Sequence, residues 1–351
     1  MSFISHIGTA VPAYAHQQTD ILKFMLEKTA FSSTEQRMVK LMYGMSGIEQ
    51  RHSVLPDFGA SPAKSKLFSL HEKMPDAVED RLAVYDDNAC KLAIDAIKDA
   101  KINVQEITHL ITISCTGMSA PGLDIMLVKA LGLNPELYRT SINFMGCYAA
   151  IHGLKQAHAI AESENDAKVL VVSVELCTLH FQEENTQDYI TSNLLFADGA
   201  ACMQINSQGG KWRIDSFFSK LFLEAENSMA WHVNSKGFLM KLDAEVPDMI
   251  FKNIAAFVHS ALEKANIEIS ENIGWLIHPG GRKILEATAR ALKLSNDDLK
   301  SSFSVLKNYG NMSSATLIFI LKQMFDSDQK HLFLAGFGPG ITMESALLTA
   351  V

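Results

Sequence analysis

Three side chains suited to nucleophilic catalysis stand at marked positions in this 351-residue chain. Cys147 directly follows Gly146, His278 precedes a Pro-Gly-Gly turn, and Asn311 directly follows Gly310. A cysteine at a helix start gains thiolate character, because the macrodipole and free N–H groups favour an anion there by roughly 0.3–1 kcal/mol. A neighbouring imidazolium lowers the thiol pKa further, while a carboxamide donates a hydrogen bond without titrating near neutral pH. Taken singly, each residue has a plainer reading: a small core thiol, a satisfied histidine at a strand end, a helix N-cap. The case for a site rests on the three together. The five cysteines (90, 115, 147, 177 and 202) lie 25 to 32 residues apart and include no C-x-x-C pair. That pattern is neither a disulfide framework nor a metal signature, and it fits a reducing compartment with one working thiol.

The elements that must position these residues follow from hydrophobic patterning. Residues 109–115, 169–174, 273–277 and 332–335 read as short buried strands, and 87–98, 251–265 and 286–294 as helices, which together make an α/β chain. Polar, loop-like sequence is thickest at 57–81. A shift of 164 residues lays 109–117 on 273–281 and Gly146-Cys147 on Gly310-Asn311. Each Gly-X pair opens a helix poor in charge, 148–161 and 312–325, and each helix leads to a buried strand after a lysine, Lys168 or Lys330. The chain therefore divides into related halves, 1–210 carrying the cysteine and 211–351 carrying the histidine and asparagine. Two helices so poor in charge belong side by side in the interior. Strand ends and helix starts are where α/β folds place their sites, so Cys147, His278 and Asn311 are expected to converge.

Composition narrows the function classes. The 48% apolar and 20% charged residues suit a globular protein with a large core. A net charge of −8 argues against binding nucleic acid. The charge-free stretch 1–19 is too polar for a membrane span and lacks a signal-peptide pattern, so a soluble, cytoplasmic protein is expected.

With the spacing laid out, the motifs themselves become informative. GCYAA at Cys147, IHPGG at His278, NYGNMSSAT at Asn311 and GFGPG at 336–340, with IGTAVP near the start and LFADGAA at 195–201, resemble the type III polyketide synthases, the chalcone synthase superfamily of the thiolase fold. The resemblance covers essentially the whole chain. It implies a five-layered αβαβα sandwich built from two duplicated halves, acting on CoA thioesters with no metal and no redox cofactor. Cys147 would take a starter acyl group from acyl-CoA. Malonyl-CoA would lose CO₂ to an enolate stabilised by His278 and Asn311, each such donor being worth ~10²–10³ in rate. Claisen condensation and cyclisation to a pyrone or phenolic product would follow.

The resemblance also marks the surroundings of the site. Phe196 matches a phenylalanine at the passage between CoA tunnel and cavity, and Met240 stands where a second one is usual. Cys177 and His180 occupy cavity positions that are usually threonines in plant enzymes. Ala120 matches a residue that reaches across a homodimer interface. Arg282, Lys283, Lys40 and Arg51 are the candidates for the CoA phosphates. An aliphatic starter, medium or long, is expected to be preferred over a phenylpropanoid one. The rival readings are a ketoacyl-synthase III-like enzyme condensing once, a papain-like protease, and a silent thiolase-fold partner subunit.

Overall fold

Strand residues buried on both faces demand helices on both sides of a sheet, and Lys168–Leu176 is such a strand, buried at every position after the first. In the computed structural model, which describes residues 1–59, 66–68, 77–269 and 272–351, it lies in a nine-stranded mixed sheet. The order across the sheet is Ile273–Ile277, His331–Gly338, Thr342–Ala350, Trp212–Leu221, Ser2–Ala10, Asp198–Asn206, Lys168–Leu176, His109–Ser114 and Tyr138–Asn143. Starting from Ser2–Ala10, the pairings run antiparallel, antiparallel, parallel, ending on His109–Ser114. Starting from Trp212–Leu221 and moving the other way, they again run antiparallel, antiparallel, parallel, ending on Ile273–Ile277. The duplication expected from the 164-residue shift is thus written into the strand pairing.

The alternation of side chains sorts the layers. Ile111, Ile113, Val169 and Val171 of one half-sheet, and Leu332 and Leu334 of the other, share a core with the helices Ala149–Ser163 and Ala315–Met324. Their sequence neighbours Leu110, Leu170, Val172 and Phe333 point the other way, into a second core that includes the helices Val78–Asp99, Val246–Lys264 and Arg282–Leu292. The layers therefore run helix, sheet, helix, sheet, helix, with the two charge-poor helices in the middle. Among the described residues no helix is long and apolar enough to cross a membrane.

Helix starts differ most from expectation. The three outer helices begin at Val78, Val246 and Arg282, four to nine residues ahead of the positions patterning suggests, because their first turns carry charged and exposed residues that blur the apolar stripe. The loop reading of 57–81 ends at the helix starting with Val78, and Arg81 in that helix is buried with its guanidinium donating to the Leu179 and Phe181 carbonyls. Residues 60–65 and 69–76 of that stretch lie outside the described residues.

The two half-sheets meet along a short seam, Ser2 to Ile4 against Trp212 to Ile214. Trp212 anchors it, fully buried, its indole N–H donating to the Phe325 carbonyl at 2.9 Å just past the second central helix. Trp212→Ala is expected to destabilise the protein by about 3–5 kcal/mol in urea unfolding. A loss below about 1 kcal/mol would show that the seam depends little on this side chain.

Candidate active site

Cys147 lies in a turn two residues ahead of the helix Ala149–Ser163. The turn is made by Gly146 at φ +88°, a backbone region that favours glycine. Its N–H donates to Cys115 Sγ at 3.0 Å, and its carbonyl accepts from the Ala149 N–H at 3.0 Å. A Cβ on Gly146 would stand 2.3 Å from Pro339 Cδ, and one on Gly338 would stand 2.6 Å from the Tyr148 ring. The GFGPG segment is therefore the surface on which the cysteine turn rests.

The opposite half supplies the partners. Asn311 follows Gly310, again at positive φ, and pairs with the chain around Phe196: its N–H donates to the Leu195 carbonyl and its carbonyl accepts from the Ala197 N–H, both at 2.9 Å. Its side-chain oxygen accepts from the Ser313 N–H at 2.8 Å, which leaves the amide NH₂ as the open end. The side chains of Asn311 and Ser313 both act on the Cys147 thiol, each lowering its pKa against the effect of burial. His278 ends the strand Ile273–Ile277, its N–H held by the Ala335 carbonyl at 2.8 Å. Ala335 is three residues before Gly338, so the histidine and the cysteine turn occupy the same end of the strand His331–Gly338.

Electrostatics depart from expectation here. His278 is 1% exposed with both ring nitrogens unpartnered among the described residues, and burial lowers its pKa to about 3. Burial likewise pushes the Cys147 thiol up to about 12, with the charge of Glu175 adding to the rise and the Ser313 and Asn311 hydrogen bonds opposing it. Burial thus works against the standing thiolate that the helix start favours, and against a charged imidazole at His278 as well. A helix start contributes under about 1 kcal/mol, whereas a dry site disfavours either charge alone by far more.

The remaining site residues separate into three groups. Phe196, Met240 and Cys177 pack with Cys147 in one buried apolar cluster, and with His180 they line a cavity of about 30 Å³. His180 is a pin as well as a wall: Nε2–H donates to the Thr116 carbonyl at 3.1 Å and Nδ1 accepts from the Phe238 N–H at 3.2 Å. The ring stacks on Phe238 at 4.1 Å, and burial holds it neutral with a pKa near 3. Ala120, Arg282, Lys283 and Lys40 are exposed, with Arg282 paired to Glu286 at 2.7 Å. Arg51 corrects the list of surface cations. It is buried, donating to Gln18 Oε1 at 2.9 Å and to the Phe196 carbonyl, so it braces the cavity wall and does not face solvent phosphates.

Two residues escaped the sequence reading. Trp231 stands among Phe144, Phe196 and His180 at 5.8–6.3 Å between ring centroids. It sits opposite Met240 in the hairpin of Met229–Asn234 and Gly237–Leu242, whose alternating apolar residues 229, 231, 238, 240 and 242 were the available signal. Glu175 is fully buried and accepts from the Cys115 N–H at 2.9 Å and from the Thr116 and Ser314 hydroxyls. A lone charge within the apolar run VLVVSVEL was its signal.

Comparison with known proteins agrees along the whole chain. Residues 1–209 match the family model of the chalcone and stilbene synthases, N-terminal domain, and residues 214–351 that of the C-terminal domain. The "Alpha-pyrone synthesis polyketide synthase-like Pks18" of Mycobacterium tuberculosis is 30% identical over all of this chain and 92% of its own length. "Probable polyketide synthase 1" of Dictyostelium discoideum is also 30% identical, but the chain spans only 11% of that larger protein. Among solved structures, the C-terminal type III polyketide synthase domain of Steely1, a type I/III hybrid from Dictyostelium, superposes with a TM-score of 0.93 at 28% identity, covering 100% of this chain and 99% of the other.

Because a thiol–imidazole pair becomes a thiolate–imidazolium pair without gaining or losing a proton, its reactivity is independent of pH between the two outer pKa values. Iodoacetamide alkylation of Cys147 is expected to stay flat from about pH 6 to 9, and in His278→Ala to rise about tenfold per pH unit. A wild-type rate that climbs in parallel with the variant would exclude proton transfer within the pair.

Proposed function

The chain belongs to the chalcone and stilbene synthase family and is a type III polyketide synthase, and on that premise we propose that Cys147, His278 and Asn311 carry its decarboxylative condensation. The observation that supports this most is that Asn311 and Ser313 of one half act on the Cys147 thiol of the other, while the buried imidazole of His278, with no partner among the described residues, lies at the same end of the strand His331–Gly338. His278 takes the thiol proton as the sulfur attacks the starter thioester; CoA leaves and recovers the proton. The extender malonyl-CoA releases CO₂, and its two bonding electrons become an enolate whose oxygen accepts from His278 N–H and the Asn311 NH₂. The enolate carbon then attacks the Cys147 thioester, the C–C bond forms, the sulfur leaves as thiolate, and the lengthened chain remains on CoA. Further rounds and cyclisation to a pyrone or phenolic product complete the reaction.

The other assignments follow the same reading. Phe196 and Met240 frame the passage to Cys147, Cys177 and His180 wall the cavity, and Arg282 and Lys283, with Lys40, are the cations left for the CoA phosphates. The halves divide near residue 210, between Asp198–Asn206 and Trp212–Leu221. Ala120 lies exposed near the outer strand Tyr138–Asn143, with Met118, Ile125 and Tyr138 also uncovered, and this edge is the homodimer contact of a cytoplasmic enzyme. The starter is an aliphatic acyl-CoA whose reach is limited by Trp231, a shorter group than the sequence alone suggested.

Two measurements test the proposal. Cys147→Ala should show no acyl adduct by intact-protein mass after incubation with acyl-CoA, while Asn311→Ala should still load and lose malonyl decarboxylation by ~10²–10³. An adduct on another cysteine, or decarboxylation untouched in Asn311→Ala, would overturn the roles. For the cavity, Trp231→Ala is expected to move the optimum of kcat/KM across straight-chain acyl-CoAs to longer chains, by about fourfold for each CH₂ newly buried at ~0.8 kcal/mol. An unchanged chain-length profile would place the limit elsewhere.

A further inference from the structure

One buried cation holds the carbonyls on either side of a cavity residue. Arg81, in the first turn of the helix Val78–Asp99, is 1% exposed. Its Nη1 donates to the Leu179 carbonyl and, at 3.0 Å, to the Phe181 carbonyl. These flank His180, the last residue of the short turn Cys177–His180. The other end of that turn is clasped by Asp198, whose carboxylate accepts from the Thr178 N–H and hydroxyl, both at 2.8 Å. Cys177, His180 and Phe181 line the cavity, and Arg81, which does not, backs them.

The same side chain backs the hairpin. A Cβ on Gly237 would stand 3.0 Å from Arg81 Cδ, 3.1 Å from Arg81 Nε and 3.3 Å from His180 Nδ1. Gly237, at φ +118°, opens the strand Gly237–Leu242 that carries Met240. Its neighbour Phe238 donates its N–H to His180 and stacks on that ring. The guanidinium itself lies over the Phe68 ring, 5.1 Å from its centroid. Outer helix, wall turn and hairpin thus meet at one planar group. A lysine could not replace it, being a point charge on a flexible stem and not a rigid fork. A leucine would fill the space without the cost of burying a charge, but it would take this donor from two buried carbonyls.

We infer that Arg81 is a positioning residue for substrate length: it fixes how far His180 and the hairpin of Trp231 and Met240 stand from Cys147, and so where an acyl chain must stop. Arg81 acts through His180 and touches no reacting atom. When the fork is lost, the volume freed lies behind His180, so the wall recedes and the cavity lengthens. The inference rests on the proposed reading that the acyl group enters the cavity beside Cys147, and the test separates that reading's catalytic part from the role of Arg81.

Straight-chain alkyl-CoA thioethers, from butyl to dodecyl, cannot acylate a thiol and report binding alone. They are titrated by calorimetry into the full chain, as wild type, Arg81→Lys, His180→Ala and the double variant, each first checked for a cooperative urea transition. Wild-type affinity should rise with chain length and then level off. In Arg81→Lys the plateau should begin about one or two carbons later, each CH₂ newly buried gaining about fourfold. In the His180→Ala background Arg81→Lys should add no further shift, because the side chain it acts through is gone. Gly237→Ala, which wedges the hairpin away from Arg81 and His180, should move the plateau the same way, and it decides the matter if Arg81→Lys does not fold. The inference is overturned if the plateau stays in place or every chain weakens by one common factor, in Arg81→Lys or, failing that, in Gly237→Ala. It is also overturned if the shift persists undiminished without His180, or if wild-type affinity ignores chain length. A length-limited affinity with no adduct on Cys147 from the corresponding acyl-CoA would count against the role of Cys147 and leave that of Arg81 standing.

Discussion

The nucleophile turn of one half can rest on the strand end of the other only because no side chain separates them. Gly146 lies where any Cβ would strike Pro339, and Gly338 where any Cβ would strike Tyr148. This contact couples two otherwise similar half-sheets at the point where the first carries Cys147 and the second carries His278 and Asn311. The short seam of Ser2–Ile4 and Trp212–Ile214 joins the sheets at one place, and the glycine contact fixes them at another. A widening of a few tenths of an ångström there would be felt directly in the placement of the cysteine turn, since the interior is too closely packed to absorb it.

Close packing also sets the electrostatics. The three groups that pull the thiol in opposite directions are all dry: Glu175 raises its pKa, Ser313 and Asn311 lower it, and burial outweighs them. In such a place a single charge is costly, but a thiolate beside an imidazolium is two opposite charges formed together. Both ring nitrogens of His278 lack a partner among the described residues, a cost that the folded protein carries. A carboxylate against the ring would satisfy it and favour its charged form.

Much of this was readable before any coordinates. The strand, glycine turn and central helix of each half recur at one spacing because backbone geometry, not side-chain identity, is what the duplication preserves, and Gly146 and Gly310 are needed for their positive φ. Cys147 and Asn311 stood out for the same reason, each directly following one of those glycines, whereas His278 ends a strand before its own Pro-Gly-Gly turn. What stayed hidden depends on distant partners. Arg51 looks solvated in the short run EQRHS, yet its acceptors are Gln18 and the Phe196 carbonyl, 33 and 145 residues away. Nor does local sequence report the depth at which Cys147 is buried, which raises its thiol pKa against the pull of the helix start.

The cavity wall is held differently from the glycine turns. Residues 229–242 form a two-stranded hairpin outside the nine-stranded sheet, and such a hairpin is marginally stable alone. It is held by separate clasps: the Met229 carbonyl accepts from the Gly340 N–H at 2.9 Å, the Lys236 carbonyl from Gln182 Nε2 at 3.1 Å, and the Phe238 N–H donates to His180. None of these clasps involves Cys147, His278 or Asn311. The backbone bonds that hold Cys147, His278 and Asn311 are thus separate from those that hold the hairpin carrying Trp231 and Met240. His180 is the exception. Its ring is at once cavity wall and clasp for Phe238, so its neutral, two-sided hydrogen bonding ties the shape of the cavity to the position of the hairpin, and a change there alters both together.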